Sequence, residues 1–187
     1  VHITTTTVIR AISVLEGVGE SSSVTQSYIF PADVVKQSED QPGYPDTWLS
    51  PIHGTDNYFE IPSDYGMREE FLAKPEVGKV ILESLKSLPV VSIVSDIGSF
   101  FSKSTDPDSG GIYMYNGEPD GPTRNLTYHL GRGWERPASV EYFNPDANDG
   151  SIDFQSNCGI KIHGGATRTR EKTHKHSFRL GFKAEYG

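Results

Sequence analysis

The sequence predicts a β-rich α+β protein with antiparallel sheets and one main helix. Three observations carry this. The 187 residues include 19 Gly and 12 Pro, a turn-rich composition that suits short strands better than a helical bundle. They also include 9 Phe, 9 Tyr and 2 Trp. Only one stretch, residues 75–88, repeats its apolar residues at a helical period. A chain of this length makes one or two domains and can bury a core without metal or disulfide staples.

The elements follow in order. Residues 7–14 alternate, with Val8, Arg10, Ile12 and Val14 on one face and Ile9, Ala11 and Ser13 on the other. Gly17-Val18-Gly19 marks a turn, and residues 23–30 form a second, polar-rich strand, so residues 1–30 read as a hairpin. Two or three strands make no stable sandwich alone. The hairpin must therefore pack on the rest of the chain or belong to a larger sandwich. Residues 31–70 lack a period. Five prolines there are interleaved with Trp48, Tyr58, Phe59 and Tyr65. That pattern predicts an ordered connection pinned by aromatics, since flexible linkers carry few of them.

In residues 75–88, Pro75 suits the first turn and Glu76 the positive end of the helix dipole. Val77, Val80, Ile81, Leu85 and Leu88 share a face, Lys86 lies near the C-terminal end, and Pro89 stops the helix. Residues 90–94 read as a buried strand, 95–111 as a polar loop around Phe100 and Phe101, and 112–115 as a short strand. A Gly/Pro/Asn-rich loop runs to Gly133. Further strands are expected at 138–143, 152–154, 159–163 and 177–182, with a turn at 144–150.

Charge narrows the function. Lys and Arg total 17 against 25 Asp and Glu, a net charge of −8. This argues against a nucleic-acid partner held by phosphate neutralisation. No apolar run is long enough to span a bilayer. Residues 151–187 depart from the rest, with seven basic residues against three acidic ones. The single cysteine, Cys158, excludes an internal disulfide and reads as a buried, inert thiol. The chain opens on Val1-His2-Ile3 and closes abruptly on Gly187. It is expected to be a piece of a larger polypeptide, whose remainder would be its first partner.

Four groups of residues are candidates for chemistry. Gly164 and Gly165 follow a strand and precede Arg168 and Lys175. Glycines let backbone N–H groups approach a phosphate, and the cations would neutralise it. The plainer reading is a basic hairpin whose glycines serve only the turn. His163, His174 and His176 lie near one another if that hairpin forms. They can be read as a zinc site or as solvated surface residues. Asp96, Asp106 and Asp108 offer carboxylates of the kind that hold calcium, without the closing Glu of a full loop, and otherwise make an acidic turn. Trp134, in Trp134-Glu135-Arg136-Pro137, is a stacking platform for a sugar ring or a core plug. Glu135 and Arg136 beside it can pair or cap the loop.

The same residues carry a resemblance. Leu88-Pro89-Val90-Val91-Ser92-Ile93-Val94-Ser95-Asp96, Phe100-Phe101 and Gly110-Gly111-Ile112-Tyr113 come first. Gly131-Arg132-Gly133-Trp134-Glu135-Arg136-Pro137 follows, then Gly159-Ile160-Lys161-Ile162-His163-Gly164-Gly165 and Lys175-His176-Ser177-Phe178-Arg179-Leu180. In order and spacing, residues 31–187 resemble the N-terminal region of the CotH (spore-coat protein H-like) family of secreted bacterial proteins. Residues 1–30 resemble the last strands of a fibronectin-III-like module of the kind appended to chitobiases.

The resemblance implies the start of an atypical kinase-like lobe in a secreted or cell-surface bacterial protein. Some family members phosphorylate proteins using ATP and a divalent metal. It places Gly164, Gly165 and Lys175 on the nucleotide side, with Lys175 the first candidate for a phosphate contact. The family's catalytic and metal-binding Asp residues follow that block, so residues 1–187 are expected to be non-catalytic. The alternatives are an extracellular module that binds polysaccharide or protein through its aromatic loops, and a structural envelope or appendage subunit.

Overall fold

The computed structural model describes residues 2–51, 58–67, 69–104, 106, 108–114, 134–145, 152–164 and 176–187. The fold is strand-rich α+β with antiparallel sheets, as composition and alternation predict. It is organised by a four-stranded sheet in the order β10-β9-β8-β7: β7 (Val90–Val94), β8 (Arg136–Phe143), β9 (Ile152–His163) and β10 (Ser177–Gly181). All three neighbouring pairs are antiparallel.

One face of this sheet is apolar. Ala138 and Val140 of β8 meet Cys158, Ile160 and Ile162 of β9, and Ile112 closes over them. Ile93, Phe100, Tyr113 and Leu180 pack around this cluster. Cys158 is fully buried, and burial followed by the Glu135 charge pushes its thiol above the ordinary cysteine range, which suits an inert core residue.

The opposite face is polar. Register places Ser92, Glu141 and Gln155 side by side across β7, β8 and β9, with Ser139 opposite Asn157 in the next row. This face is covered by the N-terminal ribbon, β1 (Thr7–Ala11) paired antiparallel with β4 (Val24–Tyr28). The hairpin tip is carried by β2 (Val14–Leu15) and β3 (Gly19–Glu20), which also pair. Gly17, at φ +77°, allows the tight reversal between them. Glu141 is wholly buried. The backbone N–H of Ser27 donates to its Oε1 at 3.1 Å, and the Ser27 hydroxyl donates to Oε2. Ser92 supports Ser27 through an Oγ–Oγ contact of 2.7 Å. Asn157 Nδ2 donates to the Ser23 carbonyl at 3.1 Å, and Gln155 Nε2 donates to the Thr25 carbonyl. The predicted hairpin therefore packs on the rest of the chain, and it does so through polar groups.

Residues 31–70 hold more regular structure than their sequence suggests. They form α1 (Pro31–Val35), a hairpin of β5 (Thr47–Pro51) and β6 (Tyr58–Pro62), and the start of α2 (Glu69–Leu72). The expected aromatic pinning is present. Trp48 Nε1 donates to Tyr65 OH at 2.9 Å, and that hydroxyl donates to the Pro45 carbonyl at 2.9 Å. The Trp48 ring stacks on Phe101 at 6.0 Å and meets Tyr113 at 5.3 Å. These contacts tie the connection to the core side of the sheet.

The main helix, α3, spans Pro75–Ser87 with Pro75 at its start, Glu76 in the first turn and Lys86 in the last. Its apolar stripe is only partly covered. Val77, Ile81, Leu82 and Leu85 are half-buried, while Val80 and Leu88 are exposed, because α3 packs on the short α1 and α2 and not in the main core. Three expectations are corrected. Residues 97–101 are a short helix, α4 (Ile97–Phe101), in place of a loop, and Ile112–Met114 is a 3₁₀ turn in place of a strand. The strands expected at 152–154 and 159–163 are one twelve-residue strand, β9. Ser156, Asn157 and Gly159 look like a break, yet each lies opposite a residue of β8. The turn at 146–150 and the loop 115–133 lie outside the described residues.

Ser27→Ala removes a hydroxyl that serves both Ser92 and Glu141, and is expected to cost about 2 kcal/mol. Val8→Ala, on the exposed margin of the same ribbon, should change stability by less than about 0.5 kcal/mol. Urea denaturation of both variants checks the contrast.

Candidate functional site

Among the described residues, charged side chains cluster where the start of β8 meets the C-terminal half of β9 and β10. Strand alternation puts Ile160 and Ile162 in the core and turns Gly159, Lys161 and His163 to the opposite face. Across the ladder, Lys161 lies opposite Arg179, His163 opposite Ser177, and Gly159 opposite Gly181. The result is a strip of basic residues beside a pair of glycines.

Glu135 enters over those glycines. Its side chain is 6% exposed and ion-paired with Lys161, itself 12% exposed, at 3.2 Å. Lys183 pairs with the other carboxylate oxygen, and the Tyr186 hydroxyl donates to that oxygen at 2.8 Å. A Cβ on Gly159 would stand 2.7 Å from the Tyr186 ring and closer still to the Glu135 carboxylate, so the cluster fits only because residue 159 has no side chain. Burial alone would raise the Glu135 pKa. The hydrogen bonds from Lys183, Tyr186 and Lys161 outweigh it and hold the carboxyl below the ordinary carboxylate range. Burial and then the bond to Glu135 raise the Tyr186 phenol. The Glu135 bond raises the Lys183 ammonium.

Arg136 continues the construction on the core side. Its Nε donates to the Gly110 carbonyl at 3.0 Å, Nη1 donates to the Glu135 carbonyl at 3.1 Å, and its guanidinium carbon lies 5.9 Å from the Trp134 ring centroid. Arg136 thus caps the loop, and Glu135 pairs with the strand beyond. Trp134 is 8% exposed, with its ring against Gly110. It fills the core plug position and presents no open platform for a sugar.

The other predicted residues are dispersed. Gly164 follows β9 at φ +125°, a conformation glycine adopts freely, and the turn expected after it lies outside the described residues. Gly165, Arg168, Lys175 and His174 lie outside the described residues. His176 meets the Tyr113 ring edge-on at 5.4 Å, while His163 lies on the exposed face of β9. Burial, with a smaller contribution from Tyr65, pushes the Tyr113 phenol up to about 12. Asp96 is ion-paired with Arg10 at 2.8 Å. Asp106 accepts the Asp108 backbone N–H at 2.9 Å, closing an acidic turn. Among the described residues, no three His, Cys, Asp or Glu side chains are grouped to hold a metal ion.

A second feature is an apolar cleft of about 450 Å³ between the end of β4, the C-terminus of α3 and the end of β8. Tyr28, Phe30, Leu85, Leu88 and Phe143 line it, with Lys86 at its edge. Among the described residues, no helix is long and apolar enough to cross a membrane.

Sequence reasoning placed the basic strip but missed its organising acid. Lys161 is legible from alternation, whereas Glu135 reads in the sequence only as able to pair or cap. Nothing local marks Tyr186 or Lys183 as its partners. Comparison with protein-family models, curated proteins and solved structures finds no match to this chain.

Removing the carboxylate strands Lys161 beside a buried amide, so Glu135→Gln is expected to cost about 3 kcal/mol at neutral pH. Glu135 is depressed in the folded state. Its contribution is therefore complete above the unfolded value of about 4.3 and is lost as pH falls through the folded value. Lys183 and Tyr186 are raised, so theirs is lost as pH climbs through their folded values, above about 10. Unfolding free energies measured from pH 2 to pH 11 should show both limbs in the wild type and a shallower acid limb in the variant.

Proposed function

We propose that this chain is a non-catalytic part of a secreted or cell-surface bacterial protein of the CotH-like, atypical kinase-like class. Residues 31–187 contribute the opening sheet of its lobe, and residues 1–30 the terminal strands of a fibronectin-III-like module. The observation that carries this reading is the β9–β10 hairpin. Its register pairs Gly159–His163 with Ser177–Gly181, so two of the sequence blocks that carry the resemblance lie side by side, which supports the reading. In the proposal Lys175, with Gly164, Gly165 and Arg168, forms the nucleotide side. Arg179, beside the paired Lys161, adds a cation to the same ribbon. ATP with a divalent metal would be the ligand in the complete protein. Phosphoryl transfer needs a metal-holding carboxylate pair placed against the phosphates, and residues 1–187 are proposed to bind without turnover.

A second reading, a module that binds a polysaccharide or a protein, has the apolar cleft in its favour. Of its aromatic residues, Trp48 and Tyr113 contact each other and Trp134 is buried. Titration with chitin and cellulose oligomers, followed by Trp fluorescence, should leave the emission unchanged. A saturable shift would favour this second reading.

With ATP and Mg²⁺, the 187-residue chain is expected to release no ADP. Lys175→Ala should weaken ATP binding by about tenfold, the loss of one charge-assisted contact. ADP release that disappears in the variant would overturn the non-catalytic assignment. Affinity unchanged in the variant would remove Lys175 from the nucleotide side.

A further inference from the structure

Two side-chain hydroxyls in the polar layer between the N-terminal ribbon and the central sheet have no hydrogen-bond partner among the described residues. They belong to Thr25 and Ser139. Thr25 is 0% exposed and Ser139 2%. A buried hydroxyl without a partner carries a desolvation cost, and such a group calls for a reason. Both hydroxyls belong to neighbours of one carboxamide. Gln155 Nε2 donates to the carbonyl of Thr25, so the amide group of β9 is brought to the residue that carries the first hydroxyl. In the β8–β9 register Gln155 lies opposite Glu141, and Ser139 is its diagonal neighbour on the same face. Thr25 and Ser27 are two apart on β4, so their side chains leave the strand on the same side, and Ser27 is the residue that meets Glu141. A hydroxyl, a carboxamide, a buried carboxylate and a second hydroxyl thus share one interlayer space.

We propose that this is a self-crosslinking site, at which Thr25 and Gln155 join in an intramolecular ester with release of ammonia. A hydroxyl becomes a nucleophile when an adjacent base takes its proton. Thr25 Oγ1 attacks Gln155 Cδ, and the hydroxyl proton passes to Glu141. The Glu141 carboxylate has lone pairs beyond the two that Ser27 uses. The carbonyl electrons move to Gln155 Oε1, where the Ser139 hydroxyl donates to the developing oxyanion. Those electrons return, the C–N bond breaks, and Glu141 gives the proton to the departing nitrogen. One C–O bond replaces one C–N bond, nothing is oxidised or reduced, and Glu141 ends as it began. Gln155 is exposed at the margin of the layer, which gives ammonia an exit, while Thr25 and Ser139 shield the ester oxygen from water. Holding the groups together in the folded state replaces an encounter between separate reactants. The product ties β4 to β9 across 130 residues. It makes covalent a docking that otherwise rests on polar contacts, in a chain whose single cysteine allows no internal disulfide. The assignment uses only these interlayer contacts and stands independently of the kinase-like reading.

Intact-mass measurement of the purified 187-residue chain, held folded at neutral pH for several days and then denatured, tests it. The wild type should lose about 17 Da, the mass of ammonia. Trypsin should then release Ala11–Lys36 joined to Gly133–Lys161, and hydroxylamine should split the pair. Thr25→Ser should still crosslink. Thr25→Val and Gln155→Ala should keep the full mass of their own sequences, as should wild type held in urea. A folded wild type of full mass overturns the proposal and leaves the two hydroxyls to a buried water. So does a loss of ammonia that persists in Thr25→Val, or one that yields no joined peptide. Should the variants fail to fold, the joined wild-type peptide decides alone: fragmentation that places the link at Thr25 and Gln155 supports the ester, and a link elsewhere overturns it.

Discussion

A carboxylate sealed between two β layers governs how this protein is put together. Glu141 has no access to water, and burying a carboxylate is costly unless donors replace the lost solvent. Ser27 supplies both a backbone and a side-chain donor, and Ser92 buttresses Ser27 from the next strand. Those donors exist in one place only if β4 lies across β7 and β8 in one position. The ribbon is thereby located by hydrogen-bond geometry and not by apolar area. That is why its hydrophobic residues remain free to face outward.

The division of the central sheet follows from the same constraint. With its polar row committed to one face, β8 and β9 place Ala138, Val140, Cys158, Ile160 and Ile162 on the other. That face gathers Ile112, Phe100 and Tyr113, and through Tyr113 the aromatic cluster that anchors residues 31–70. The connection is ordered because its rings pack on one another and on the sheet, with the Trp48 N–H donating to the Tyr65 hydroxyl and that hydroxyl to the Pro45 carbonyl. Proline-rich chain without such rings would gain too little burial to offset its ordering entropy.

Glu135 repeats the principle at the other end of the sheet with a different solution. Its partners are cations and a phenol, so charge is compensated inside the cluster. The glycines at 159 and 181 let the carboxylate come down onto the backbone. The cluster stiffens the base of the β9–β10 hairpin and holds Lys161 beside Arg179.

Much of the architecture was legible in residue order. Alternation at 138–143, 159–163 and 177–182, the helix start at Pro75 and the turn at Gly17 all follow from local chemistry, in which side-chain period and backbone freedom act over a few residues. The exceptions share one cause. Ser156, Asn157 and Gly159 sit in a strand because their neighbours on β8 complete its ladder. Residues 97–101 coil because Phe100 and Phe101 must both reach the aromatic core. Glu135 meets Lys161, Lys183 and Tyr186 across separations of 26 to 51 residues that no local pattern encodes. Period and turn chemistry are properties of adjacent residues. The pairing of buried charge is a property of the folded chain, because its energy depends on which distant donor arrives when water is excluded.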